Sequence, residues 1–149
     1  MSDSPSTDDR TARDDAGEKW LSGFVSLIGL WIAASPAASA VAESLLWNNV
    51  LIGAAVFLLA GYNFYRHTAG EPTSTGVMSL VALLGLWTVV APFLFEWAIA
   101  GAFSLEALTV AGQGLFSSNA IAGLLIAILA GYIAYSGGRE VPRGTAAET

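Results

Sequence analysis

In 149 residues this chain carries 54% hydrophobic and 12% charged side chains, against roughly 25% charged in a soluble domain, and so reads as an integral membrane protein. It has no cysteine, which excludes a disulfide framework, thiolate metal ligation and cysteine redox chemistry. A formal net charge of −6, with Lys19 the single lysine, offers no basic patch for nucleic acid, and no nucleic-acid partner is expected.

Residues 1–18 hold Asp3, Asp8, Asp9, Asp14, Asp15 and Glu18 and no hydrophobic run. They read as an acidic disordered cytoplasmic tail without the basic and apolar regions of a cleaved signal peptide, so the first membrane helix is expected to be its own targeting signal. That helix is predicted over 19–34, with Ser22, Ser26, Gly29 and Ala33 as a small-residue face. Pro36 restricts Ser35 away from helical geometry and stops the helix at the outer surface.

A second helix is predicted over 49–65, where Asn49 stands in the position of a helix cap. Asn49, Gly53, Val56, Ala60 and Asn63 fall on one face, which reads as a packing seam in preference to a solute path. Residues 19–66 thus form a first two-helix membrane repeat, followed by a cytoplasmic linker over 67–76. In that linker Gly70 and Pro72 break the helix between His67 and Glu71. One histidine and one carboxylate rarely hold a metal, so His67 reads as a solvated loop residue, with no metal site and no cofactor expected.

The second repeat occupies 77–136, with helices predicted over 77–95 and 119–135. Pro92 either ends the third helix or kinks it. The outer loop, 96–118, is punctuated by Gly101, Gly112 and Gly114, and Ser104 could cap a surface-lying segment through Val110. It is the candidate for docking an external protein partner, whose identity the sequence does not specify, with a plain connector as the alternative. Asn119, Gly123, Ile126, Ala130 and Ile133 repeat most of the stripe on the second helix, and 137–149 reads as a disordered cytoplasmic tail.

Each predicted span is near the lower end of the roughly 17–25 residues that cross a bilayer. Four helices apolar on all faces leave no polar side for water, so the lipid bilayer is their expected surrounding. All six basic residues lie before the first span, after the second or after the fourth, while the outer connections hold Glu43, Glu96 and Glu106. Positive-inside bias then places both termini in the cytoplasm and the protein in the plasma membrane. Trp31, Trp47, Trp87 and Trp97 gather at the outer ends and Tyr62, Tyr65, Tyr132 and Tyr135 at the inner ends, as two interfacial belts.

The halves repeat each other. Gly29, Trp31 and Pro36 pair with Gly85, Trp87 and Pro92 at an offset of 56 (85 minus 29), whereas Asn49, Gly53, Tyr62 and Tyr65 pair with Asn119, Gly123, Tyr132 and Tyr135 at 70 (119 minus 49). The difference, 70 minus 56, is a 14-residue insertion in the second outer loop. This ordered set resembles the SPW repeat family, prokaryotic membrane proteins named for a Ser-Pro-Trp motif. Ser35 and Pro36 keep the first two positions with Ala37 in place of tryptophan, and Ala91, Pro92 and Phe93 keep only the proline. The resemblance implies a fold and a membrane location and carries no activity with it.

Because each half has an even number of crossings, the fold class expected is an all-α integral membrane four-helix bundle built from two tandem parallel hairpins. No ionisable residue falls in the middle of a span, which argues against a coupled transporter. A lone histidine on the inner side offers no Ser-His-Asp arrangement, and no catalytic residue is expected. The reading is a structural or interaction module without enzymatic activity, homo-oligomeric because four short helices bury few of their own faces. The alternative is a small-solute channel or transporter subunit using the Asn-bearing stripe at the repeat or subunit interface.

Overall fold

A computed structural model describes residues 7–38, 43–100 and 115–139. Among them lie helices α1 (Thr7–Ala34), α2 (Glu43–Thr68), α3 (Thr75–Ala100) and α4 (Leu115–Gly137), with a 3-10 turn, Ser35–Ala38, after α1. The described residues include no strand. Helices of 23 to 28 residues rise about 35–42 Å, more than the roughly 30 Å of a hydrocarbon core. The short apolar runs are thus parts of longer helices. Four segments are long and apolar enough to span a membrane: Ala12–Ala37, Leu45–Thr68, Thr75–Pro92 and Ser118–Gly137.

The ends differ from the sequence expectation for physical reasons. α1 begins at Thr7 instead of Lys19, since Asp9 in its first turn suits the positive end of the helix dipole and nothing from there through residue 18 is a proline. It does end at Ala34, where Ser35 Oγ donates to Ile32 O at 2.9 Å and satisfies one of the last carbonyls. Pro92 does not end α3, which continues to Ala100. A proline here leaves the Thr88 carbonyl without its usual donor, while the Thr88 hydroxyl donates to Leu84 O at 2.9 Å. α3 and α4 are both longer than expected, and residues 101–114 between them, with the Ser104 to Val110 segment, lie outside the described residues, as do 1–6, 39–42 and 140–149.

Between α2 and α3 the chain turns in six residues. Gly70 adopts φ 76°, the left-handed position that ends many helices. Glu71 N donates to Arg66 O at 2.9 Å and Gly70 N to His67 O at 3.2 Å, the paired bonds of a Schellman motif. Ser74 O then accepts the first bond of α3, from Met78 N at 3.0 Å.

α1 packs closely on α2, and α3 on α4; fewer contacts join α2 to α3 and α1 to α4. The hairpins are closed by glycine. A Cβ on Gly29 would stand 2.6 Å from Phe57 N, and one on Gly53 would stand 2.7 Å from Gly29 O and collide with Ala33 N. The second hairpin repeats this: a Cβ on Gly85 would stand 2.8 Å from Gly123 O, and one on Gly123 would stand 2.7 Å from Gly85 O. Backbone meets backbone at each crossing, which only glycine permits. Around these points Val25, Val56, Ala60, Val81, Ile126 and Ala130 are buried in one continuous core. Trp20, Phe24, Leu27, Leu58, Leu83 and Ile128 are among the large apolar side chains left exposed on the outside.

Gly53→Ala should therefore destabilise the fold by about 1–3 kcal/mol, the usual cost of forcing atoms into a packed contact. Gly131→Ala is the control: its Cβ would meet nothing within 4 Å, so it should be neutral or stabilising by about 0.5–1 kcal/mol through helix propensity. Thermal unfolding in detergent, followed by circular dichroism, distinguishes the two.

Candidate functional site

Two clusters of polar side chains occupy opposite ends of the bundle. At the end that the charge pattern predicts to be the outer one, Trp31 Nε1 donates to Ser118 Oγ at 3.3 Å and Trp87 Nε1 donates to Asn48 Oδ1 at 3.0 Å. Trp31 corresponds to Trp87 and Asn48 to Ser118 in the repeat, so these are one contact made twice, each tryptophan reaching from its own hairpin to the start of the other's second helix. Their sequence positions mark the tryptophans only as interfacial anchors. They are exposed, as anchors must be, and they also brace the hairpins together. The polar residue before each repeated asparagine was the signal available.

Asn49 and Asn119 are not helix caps. α2 starts at Glu43 and α4 at Leu115, which puts both amides inside their helices, where the backbone N–H groups are already engaged. Each is 3% exposed. Asn48 Nδ2 lies 3.4 Å from Asn49 Oδ1, but Asn49 Nδ2 and Asn119 Oδ1 have no hydrogen-bond partner. An unpaired buried polar atom costs about 1–3 kcal/mol. Below them the stripe runs as a packing seam: Gly53, Val56, Ala60 and Asn63, and likewise Gly123, Ile126, Ala130 and Ile133, are all buried.

The inner end holds the denser network, and most of it was not legible as a site. Asn63, fully buried, donates from Nδ2 to Ser22 Oγ and accepts Ser74 N at Oδ1, both at 2.9 Å; Ser22 in turn donates to Glu18 O. One amide thus ties α1, α2 and the start of α3. Beside it Thr73 Oγ1 donates to Glu18 Oε2 at 2.6 Å, a length usual for a charge-assisted bond. Thr73 Oγ1 also lies 2.9 Å from His67 Nε2. The hydroxyl has one proton, and with Glu18 as a carboxylate that proton goes to Glu18; His67 Nε2 is then the donor to Thr73.

His67 is accordingly not a solvated loop residue. It lies in the last turn of α2, half-buried, because α2 runs on until Gly70 turns it. Glu18 is buried, not part of an irregular tail, because α1 carries it under the bundle beside Ser22. Thr73 is held there by α4: a Cβ on Gly137 would stand 2.7 Å from Thr73 Cβ. A single linker residue therefore touches elements from both hairpins. The i, i+4 series Glu18, Ser22, Ser26 was the clue to α1's share; nothing local marks Thr73.

A cavity of about 320 Å³ opens next to this network, lined by Asp15, Lys19, His67, Glu71 and Pro72 among others. Glu71 is engaged by Arg66 at 3.3 Å, and Arg66 Nε donates to Pro72 O at 3.2 Å. The described residues include no group of three or more histidine or acidic side chains placed to hold a metal ion. The second hairpin has no counterpart of the inner network, since Met78 and Ile133 stand where Ser22 and Asn63 stand, all four fully buried.

Thr73→Val should leave the buried Glu18 carboxylate and His67 without their shared partner and destabilise the protein by about 1–3 kcal/mol. Thr73→Ser, which keeps the hydroxyl, should retain most of that. Comparing the unfolding midpoints of the two variants in detergent checks it.

A family model described as the SPW repeat domain matches residues 19–133. No curated protein and no solved structure matches the chain. The matched region takes in both glycine crossings, both bracing tryptophans and the Ser22–Asn63–Ser74 contacts: this chain belongs to the SPW repeat family.

Proposed function

We propose that this membrane protein is a structural or interaction module of the plasma membrane, homo-oligomeric, with both termini in the cytoplasm and without enzymatic turnover. The observation that carries the reading is the commitment of its buried polar groups to construction. Asn63, Ser22, Thr73, Glu18 and His67 join helices to one another, and Ser26 Oγ donates to Phe57 O at 2.9 Å across the first hairpin. The distribution of arginine and lysine supports the orientation, and the wide apolar exterior offers surface for a second copy.

A small-solute path is the other reading, favoured by the unpartnered Asn49 Nδ2 and Asn119 Oδ1. Against it, the glycine crossings next along each stripe bring the backbones into contact and close the seam.

Liposomes containing the protein should leak small neutral solutes no faster than protein-free liposomes, and Asn49→Leu with Asn119→Leu should not change that. A flux that the double variant abolishes would overturn the module reading in favour of the path. For orientation, Ala37→Cys and Glu71→Cys place single thiols on exposed positions at opposite ends. An impermeant maleimide added outside intact cells should label the first and spare the second; the reverse pattern sinks the cytoplasmic placement of the termini.

A further inference from the structure

The two hairpins share a backbone but not a surface. In the first, the Phe64 ring covers Gly23, at 3.2 Å from where a Cβ would stand, and Gly61 faces Ser26 Oγ at 3.3 Å. Trp20 and Lys19 add to this cover, the Trp20 ring 6.4 Å and Lys19 Nζ 5.5 Å from the Phe64 centroid. At the equivalent positions of the second hairpin, Phe57 and Phe64 are replaced by Ala127 and Ala134, and Gly131 has nothing within 4 Å of where its Cβ would be. The space beside Gly23 that Phe64 covers in one half is left in the other as part of a groove of about 570 Å³, walled by Ser79, Leu83 and Leu86 on α3 and by Ala127, Gly131 and Tyr135 on α4.

The groove lies within two of the segments long and apolar enough to span a membrane, so in a single copy of the chain it faces the bilayer. It is almost wholly apolar over its length. Its end at Tyr135 is different: the Arg139 guanidinium sits 4.2 Å from the Tyr135 ring centroid and donates to the Tyr135 hydroxyl. A cation is therefore held at the interfacial rim of an apolar trough whose volume is in the usual range for a ligand site. We infer that this groove binds an anionic phospholipid from the leaflet on the basic side of the membrane, one acyl chain lying along Leu83, Leu86 and Gly131 and the phosphate meeting Arg139. Arginine suits that role because its fork matches phosphate oxygens, and the tyrosine ring holds its charge at the rim. The lipid supplies the apolar cover that Phe64 supplies in the first hairpin.

The test reconstitutes the whole chain in mixed phosphatidylglycerol and phosphatidylcholine vesicles, extracts it in mild detergent and counts retained lipids by native mass spectrometry. Wild type should retain phosphatidylglycerol in preference to phosphatidylcholine by about fivefold, the effect of one basic side chain near a charged surface. Arg139→Gln should abolish the preference while leaving lipid bound, and Gly131→Leu, which enters open space, should lose both lipids. Ala127→Phe, which restores the first hairpin's residue, should do the same and covers the case of Gly131→Leu failing to fold. Unchanged phosphatidylglycerol retention in the folded groove variants overturns the proposal. So does a disulfide-linked dimer formed through Ser79→Cys with no retained lipid, which would assign the groove to a second copy of the chain.

Discussion

Backbone contact at two glycine pairs, Gly29 with Gly53 and Gly85 with Gly123, is what the rest of this bundle depends on. Lipid tails are as apolar as leucine, so in a bilayer the exclusion of water that packs soluble helices is missing, and association rests on close van der Waals fit and on hydrogen bonds. Close fit needs small side chains. The size distribution follows in part: the interior is built from glycine, alanine, serine and valine with Ile32, Met78, Ile126 and Ile133 between them, while many leucines and most tryptophans and tyrosines are turned outward. In a soluble bundle polarity separates inside from outside. Here size does much of that work, which is why apolar residues can occupy every face of a helix that still has a defined packing side.

Close approach has a second effect, because it buries hydroxyls and amides where water cannot satisfy them. The first hairpin answers with interhelical bonds: Ser26 to the Phe57 carbonyl and Asn63 to Ser22. At the inner end the chain's own linker does the same for Glu18 and His67 through Thr73, and Thr73 is in turn pressed against Gly137 of the last helix. The linker thus joins the hairpins through more than its covalent chain. At the outer end the two tryptophan bonds play the corresponding part, so each end of the bundle is tied across the hairpin boundary by polar contacts, and the middle by none of the contacts described.

The existence of four spans, their pairing and the glycine crossings were legible in the sequence, because each rests on residue type at fixed spacing within an apolar run. The ends were not. A helix continues past its hydrophobic run for as long as dipole and propensity favour it, so α1 reaches back to Thr7 and α2 to Glu43. That shift alone moved Asn49 from a cap to the helix interior and carried Glu18 out of the tail into the packed end. His67 was misplaced by a smaller margin: Gly70 does turn the chain, but only after His67 has completed the last turn. The Thr73 contacts could not be read at all, since they bring together residues from α1, α2 and α4 that no local pattern relates.

The glycine crossings also explain how the halves can differ so much around a common backbone. Since each crossing is set by backbone atoms, the neighbouring positions are free to change without altering the helix spacing. The first hairpin carries a polar rivet, Ser22 with Asn63, and covers its own outer groove with Phe64. The second replaces the rivet by Met78 and Ile133 and leaves its groove open at Gly131. The polar interior belongs to the hairpin whose buried side chains bond to the linker, and the open exterior to the hairpin that meets the linker by packing Gly137 against Thr73. Duplication therefore fixed one geometry twice and left two separate tasks to the side chains: the first half locks the bundle at its inner end, and the second presents a surface that only the surrounding bilayer or another chain can complete.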